Sequence, residues 1–108
     1  MAAYNMNPVF DNIMTQKKLD KNMFSFYFNR NADSYGSKMI LGGVDDSLYS
    51  GSINYVKVVD EYYWTIRAEK ILVGGKDIGL CNNCHLIVDT GTSLITGPTD
   101  KLMKLLSI

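Results

Sequence analysis

Apolar and polar residues alternate along most of the chain, and this period of two is typical of strands with one buried face. In "MFSFYFNR", Phe24, Phe26 and Phe28 share one face, and Ser25 and Tyr27 share the other. Similar runs rich in β-branched and aromatic residues predict strands at 38–41, 52–59, 62–68, 71–73 and 85–88. Turns are predicted at 31–37, 42–43 and 74–77. The pattern therefore predicts an all-β, mostly antiparallel fold.

Two segments follow helical spacing instead. In "NPVFDNIMTQKK", Asn7 is suited to cap a helix and Pro8 to occupy its first position. Four residues of this segment follow helical spacing, namely Phe10, Ile13, Met14 and Lys17, and its apolar stripe is narrow. Pro98 opens a second helix, on which the apolar residues share one face: Leu102, Leu105 and Leu106. The fold prediction thus includes two short helices.

The second helix reaches Ile108 without a capping glycine, and no predicted element covers its leucines. We therefore expect residues 8–108 to be part of a longer domain and residues 1–7 to be a tag or linker remnant. The uncovered leucines and an open sheet edge predict that the chain by itself associates with other copies.

Composition narrows the classes of function. The 108 residues are 46% hydrophobic, which fits a single globular domain or part of one. Eleven basic and eleven acidic residues leave no net charge, so nothing indicates a nucleic acid or an anionic membrane as partner. The longest apolar runs are far shorter than the ~20 residues of a membrane-spanning helix, and the first residues do not form a signal peptide.

The stretch "LIVDTGTSLITGP" (86–98) carries the main candidate for chemistry. An apolar strand delivers Asp89 into a tight turn, where Gly91 allows close backbone approach and Thr90 and Thr92 offer hydroxyls. We expect a carboxylate that is both desolvated and hydrogen-bonded, able to share a proton with a second carboxylate and activate water. The alternative is that Asp89 merely caps a turn. Neither interpretation requires a cofactor.

Cys81 and Cys84 favour a structural disulfide over a redox pair, because Cys84 leads into a strand rather than opening a helix. With one histidine in the chain, they cannot complete a four-ligand zinc site without distant carboxylates, so no metal is expected. His85 is interpreted as an ordinary strand residue, Trp64 as a core residue, and 74–76 as a hairpin turn rather than a phosphate loop.

Four consecutive segments together resemble the C-terminal half of pepsin-like aspartic proteases, the group that includes cathepsin D and plasmepsins. They are "NPVFDNIMTQKKLDKNMFSFYFNR", "ILGGVDDSLYSGSINYVKV", "YYWTIRAEKILVGGKDI" and "CNNCHLIVDTGTSLITGPTDKL". The resemblance implies a partial C-terminal lobe of a pepsin-like acid protease fold. It also implies an endopeptidase that hydrolyses peptide bonds with water held between two aspartates, in the secretory pathway, lysosome, vacuole or extracellular space.

Under this resemblance Asp89 is the second catalytic aspartate, Thr90 locks the two active-site loops together, and Thr92 binds the outer carboxylate oxygen. The peptide backbone would border Gly91, Thr92 and Ser93. A pocket for residues on the C-terminal side of the scissile bond would be lined by Tyr63 and Ile87. The implied partners are a protein or peptide substrate, the N-terminal lobe and the rest of the C-terminal lobe.

Two departures from the family pattern are visible. Two residues separate Cys81 from Cys84, whereas three are usual, and the other catalytic aspartate lies outside these residues. This chain alone is therefore expected to be inactive. Two alternatives remain: a non-catalytic binding protein with a pepsin-like fold, and a homodimeric protease with one Asp-Thr-Gly per subunit.

Overall fold

The computed structural model describes residues 5–31 and 35–108, so parts of the predicted turn at 31–37 and of the predicted remnant at 1–7 lie outside the described residues. The chain divides into two compact units, one ending at Asn54 and the other running from Tyr55 to Ile108. The elements are α1 (Val9–Thr15), β1 (Phe24–Tyr27), β2 (Lys38–Leu41), β3 (Val58–Asp60), β4 (Thr65–Ala68), β5 (Leu72–Val73), β6 (Lys76–Asp77), β7 (Cys84–Ile87) and α2 (Thr99–Leu106). A 3-10 helix occupies Asp46–Leu48.

The first unit contains α1 and an antiparallel β1–β2 pair. Its aromatic residues form a column, in which ring centroids lie 5.1 Å apart for Phe10 and Phe24, 6.0 Å for Phe24 and Phe26, and 5.9 Å for Phe26 and Phe28. The three phenylalanines predicted to share a face of the strand are therefore in sequential contact. Phe26 nevertheless remains 39% exposed and Phe28 61% exposed, so the described residues cover the column only in part.

The start of α1 corrects one prediction. Pro8, rather than Asn7, occupies the cap position, and no side chain caps the helix. The Pro8 carbonyl accepts the first helical hydrogen bond, from the Asn12 amide at 3.2 Å. Because Asn7 lies one residue before the cap, its side chain does not satisfy the orphan amides of the first turn. The helix ends before Lys17, whose φ of 52° is left-handed.

The second unit contains a three-stranded antiparallel sheet in the order β3–β4–β7. It also contains the predicted β5–β6 hairpin, whose two turn residues, Gly74 and Gly75, have φ of 56° and 78°. Positive φ at both central residues is what the type I′ two-residue hairpin turn requires. α2 follows Pro98 as predicted.

The strand predicted at 52–59 is wrong over most of its length, since only 58–60 lie in β3. Strand propensity acts only where a neighbouring strand completes the ladder, and 52–57 are paired with no described strand. The strand predicted at 62–68 is likewise shortened to β4, because 61–64 form the turn between β3 and β4. Trp64 lies in that turn and is 52% exposed, which corrects its assignment to the core.

The described residues bury little side-chain surface. Only Cys81 and Thr65, each 5% exposed, are buried among residues 5–31 and 35–108. The accessible surface is 9555 Å². Two separate compact domains of half this mass would together expose only about 7,000 Å² by the usual scaling of surface with mass, so this chain exposes more surface than compact domains would.

In the described part of the chain, no helix has the length and apolar character needed to cross a membrane.

Candidate active site

The central sheet of the second unit delivers Asp89 to the surface. β7 pairs with β4 through Ile87, opposite Thr65, and the Val88 amide extends the pairing by donating to the Trp64 carbonyl at 3.0 Å. The chain then leaves the sheet and turns, with the Thr92 amide 3.4 Å from the Asp89 carbonyl oxygen. The apolar strand before the aspartate is thus the edge of a ladder, and its last bond places Asp89 beside the β3–β4 turn.

Both oxygens of the Asp89 carboxylate accept a hydrogen bond. Oδ1 accepts the backbone N–H of Gly91 at 2.9 Å, and Oδ2 accepts the hydroxyl of Thr92 at 2.7 Å. The Thr92 hydroxyl, followed by the Gly91 amide, lowers the pKa of Asp89 because both stabilise the ionised form. A carboxylate held at both oxygens is fixed in orientation, and both hydrogen bonds favour its ionised form.

Asp89 is exposed, so the prediction of a desolvated carboxylate is wrong for these residues. The described chain places no apolar surface over the group, and hydrogen bonding rather than burial sets the direction of its pKa. Gly91 fits closely against the carboxylate, because a Cβ on this residue would lie 3.3 Å from Oδ1 of Asp89. A larger side chain would therefore press on the carboxylate that the Gly91 amide binds.

A bond from the amide two residues ahead is not peculiar to Asp89. Three other aspartates in the described ranges accept the same bond: Asp45, Asp60 and Asp77. Local turn geometry alone is therefore compatible with a mere capping role. Asp89 differs in how its second oxygen is held, since Oδ2 accepts a threonine hydroxyl, whereas Oδ2 of Asp45 and of Asp77 faces a lysine. Asp89 lies in the wall of a cavity, as Asp45 does in the other unit.

The cavity has a volume of about 140 Å³. Its lining residues come from the β3–β4 turn and from the end of β7: Tyr63, Trp64, Ile87, Val88, Asp89 and Thr90. The fold thus brings the two predicted pocket residues, Tyr63 and Ile87, to one surface with Asp89. Trp64 and Val88 were missed by sequence reasoning. Val88 lies between the predicted site residues Ile87 and Asp89, and this position could have indicated that it belongs to the site. Trp64 could not have been found in this way, because only the register of β4 with β7 brings it to the cavity.

Two further predicted residues, Thr90 and Ser93, are held by no side-chain hydrogen bond to the described chain. Both residues are exposed. Ser93 does not line the cavity. The hydroxyl of Thr90 is therefore available for a partner outside the described residues, as its predicted role in joining two loops requires.

The disulfide predicted between Cys81 and Cys84 is present, with their Cα atoms 5.5 Å apart. The loop it closes contains Asn83, whose φ of 51° is a conformation that asparagine tolerates better than most residues. The Asn83 amide donates to the Glu69 carbonyl at 3.0 Å, which anchors the loop after β4. The disulfide thus holds the start of the strand that delivers Asp89, and neither sulfur is free to act as a metal ligand or nucleophile.

Comparison with known proteins gives a consistent result. The family model described as "Eukaryotic aspartyl protease" matches residues 1–108. Cathepsin D of Chionodraco hamatus is 51% identical over 91% of this chain and 25% of its own length. Cathepsin E of Oryctolagus cuniculus is 46% identical over 97% of the chain and 27% of its own length, and pepsin A of Sus scrofa is 44% identical over 99% and 28%. The chain therefore spans about a quarter of the length of these relatives.

Proposed function

Since this chain belongs to the eukaryotic aspartyl protease family, we propose that the full-length protein is an endopeptidase in which Asp89 is one of two catalytic aspartates. The observation that carries the proposal is the Asp89 carboxylate, bound at both oxygens and set in the wall of a cavity. The test is loss of peptide cleavage on replacing Asp89, and the Discussion gives its design.

The proposed reaction needs a second carboxylate close to Asp89, supplied by another part of the protein. Two adjacent carboxyl groups share one proton, because ionising both is costly. The ionised member takes a proton from water, and the hydroxide equivalent attacks the scissile carbonyl while the protonated member donates to the carbonyl oxygen. Proton transfer to the amide nitrogen then releases the two peptide products. The hydrogen bonds from Gly91 and Thr92 favour the ionised form of Asp89 and fix its orientation.

We assign the remaining site residues to substrate and to the partner lobe. The peptide backbone borders Gly91, Thr92 and Ser93, and a side chain on the C-terminal side of the scissile bond enters the cavity beside Tyr63 and Ile87. The hydroxyl of Thr90 bonds to the matching loop of the N-terminal lobe. Residues 8–108 are on this proposal part of the C-terminal lobe, and the apolar surface they leave exposed packs against the rest of the protein.

We place the protein in the secretory pathway, the lysosome or vacuole, or outside the cell. The disulfide between Cys81 and Cys84 supports this assignment, because such bonds form and persist in oxidising compartments.

Replacing Thr92 with valine in the full-length protein is expected to shift the acid limb of the pH profile of kcat/KM to higher pH. The hydroxyl lowers the pKa of Asp89, so its removal raises that pKa and reduces the ionised fraction in acidic solution. Activity should therefore fall most at the acidic end of the profile. The profile is measured with a soluble peptide substrate.

Thr92→Ser is the matched control, since it keeps a hydroxyl that can donate to Oδ2, and its acid limb should stay close to that of the unmodified protein. An unchanged acid limb in Thr92→Val would contradict the role assigned to this hydrogen bond.

A further inference from the structure

The β3–β4 turn presents three consecutive aromatic residues, of which only Tyr63 and Trp64 line the cavity. The third, Tyr62, packs its ring against Tyr63 at a centroid distance of 4.8 Å and an interplanar angle of 87°. This edge-to-face arrangement is a favourable one for aromatic pairs. Tyr62 is still 56% exposed, and it lies directly beside a residue of the cavity wall.

The backbone holds this aromatic pair in place from both ends of the turn. The Tyr62 amide donates to Oδ1 of Asp60 at 2.9 Å, and the Thr65 amide donates to the Tyr63 carbonyl at 2.8 Å. Thr65 is one of the two buried residues of the described chain, so the second anchor lies in a well-packed position. A rigidly presented tyrosine offers a large contact area and loses little side-chain entropy when it binds a partner.

We propose that Tyr62 is a specificity-determining residue, whose ring extends the apolar wall of the cavity past Tyr63 and contacts a substrate side chain. The contacted side chain lies on the C-terminal side of the scissile bond, in the direction of the cavity from Asp89. A large apolar or aromatic side chain reaches Tyr62, whereas alanine ends short of it. The inference rests on the proposed function, because it names a substrate preference of that same site.

The experiment uses the full-length protein and peptides that differ at single positions C-terminal to the cleaved bond, with phenylalanine, leucine or alanine at each. In Tyr62→Ala, the preference in kcat/KM for phenylalanine over alanine should fall about 2- to 10-fold at one position, the range expected for losing one aromatic contact. The alanine peptide should be cleaved at an unchanged rate. Tyr62→Phe keeps the ring and should keep the preference.

The matched control is Tyr55→Ala, since Tyr55 is 73% exposed in the same unit and makes no ring contact with a described residue. Its preferences should equal those of the unmodified protein. If Tyr62→Ala leaves the preference unchanged at every position, or lowers the rates for all peptides equally, the inference is overturned. Cleavage that persists in Asp89→Asn would instead overturn the proposed function, so the two failures are distinguishable.

Discussion

Replacing Asp89 with asparagine in the full-length protein is expected to lower the rate of peptide cleavage at acidic pH by at least about 10²- to 10⁴-fold, the contribution typical of one general acid or base. Asparagine has nearly the same size, and its amide oxygen can accept the bond from Gly91, while its NH2 group can donate to the Thr92 hydroxyl in place of the bond that Oδ2 accepts from it. It cannot ionise, however, and cannot take a proton from water. Cleavage of a denatured protein substrate measures the effect, and circular dichroism verifies the fold.

Asp77 provides a matched control for this substitution. Oδ1 of Asp77 accepts the backbone N–H of Gly79 at 2.8 Å, just as Oδ1 of Asp89 accepts that of Gly91, and this amide is the main reason that the pKa of Asp77 is lowered. Asp77 does not line the cavity. Asp77→Asn should therefore retain cleavage. If the two variants behave alike, Asp89 only caps a turn, and an unmodified protein that binds peptides without cleaving them would favour the non-catalytic binding protein.

The 108-residue chain by itself is expected to self-associate and to bind a dye specific for exposed apolar surface. Its described residues bury only two positions, and its exposed large apolar side chains include Phe28, Trp64, Val88, Leu94, Ile95 and Leu106. Among residues 5–31 and 35–108, no strand pairs with the outer edges of β3 and β7 in the three-stranded sheet, so another copy can join there. Light scattering coupled to gel filtration measures the mass as a function of concentration.

The same sample tests two further points. A monodisperse monomer that binds no dye would contradict the prediction of self-association. The associated chain should be inactive towards peptides, because each copy contributes one aspartate that is not positioned against another. A stable dimer with peptidase activity would favour the homodimeric alternative and would contradict the proposal of a second lobe.

Sequence patterns predicted best those features that form between residues close together in the chain. The glycine hairpin at 74–75 and the disulfide between Cys81 and Cys84 both agree with the structure, since each joins residues only a few positions apart. The predicted strand over 52–57 failed, because its composition is typical of a strand but its pairing depends on a neighbour that the described chain lacks.

The sequence by itself determined how Asp89 is held. The bonds from Gly91 and Thr92 span two and three residues, so the short turn that contains them is sufficient to form both. Tertiary structure decided which residues lie around Asp89. Tyr63 reaches it only because β4 pairs with β7 in one register, and the exposure of Asp89 depends on what packs over the turn, which no local pattern encodes.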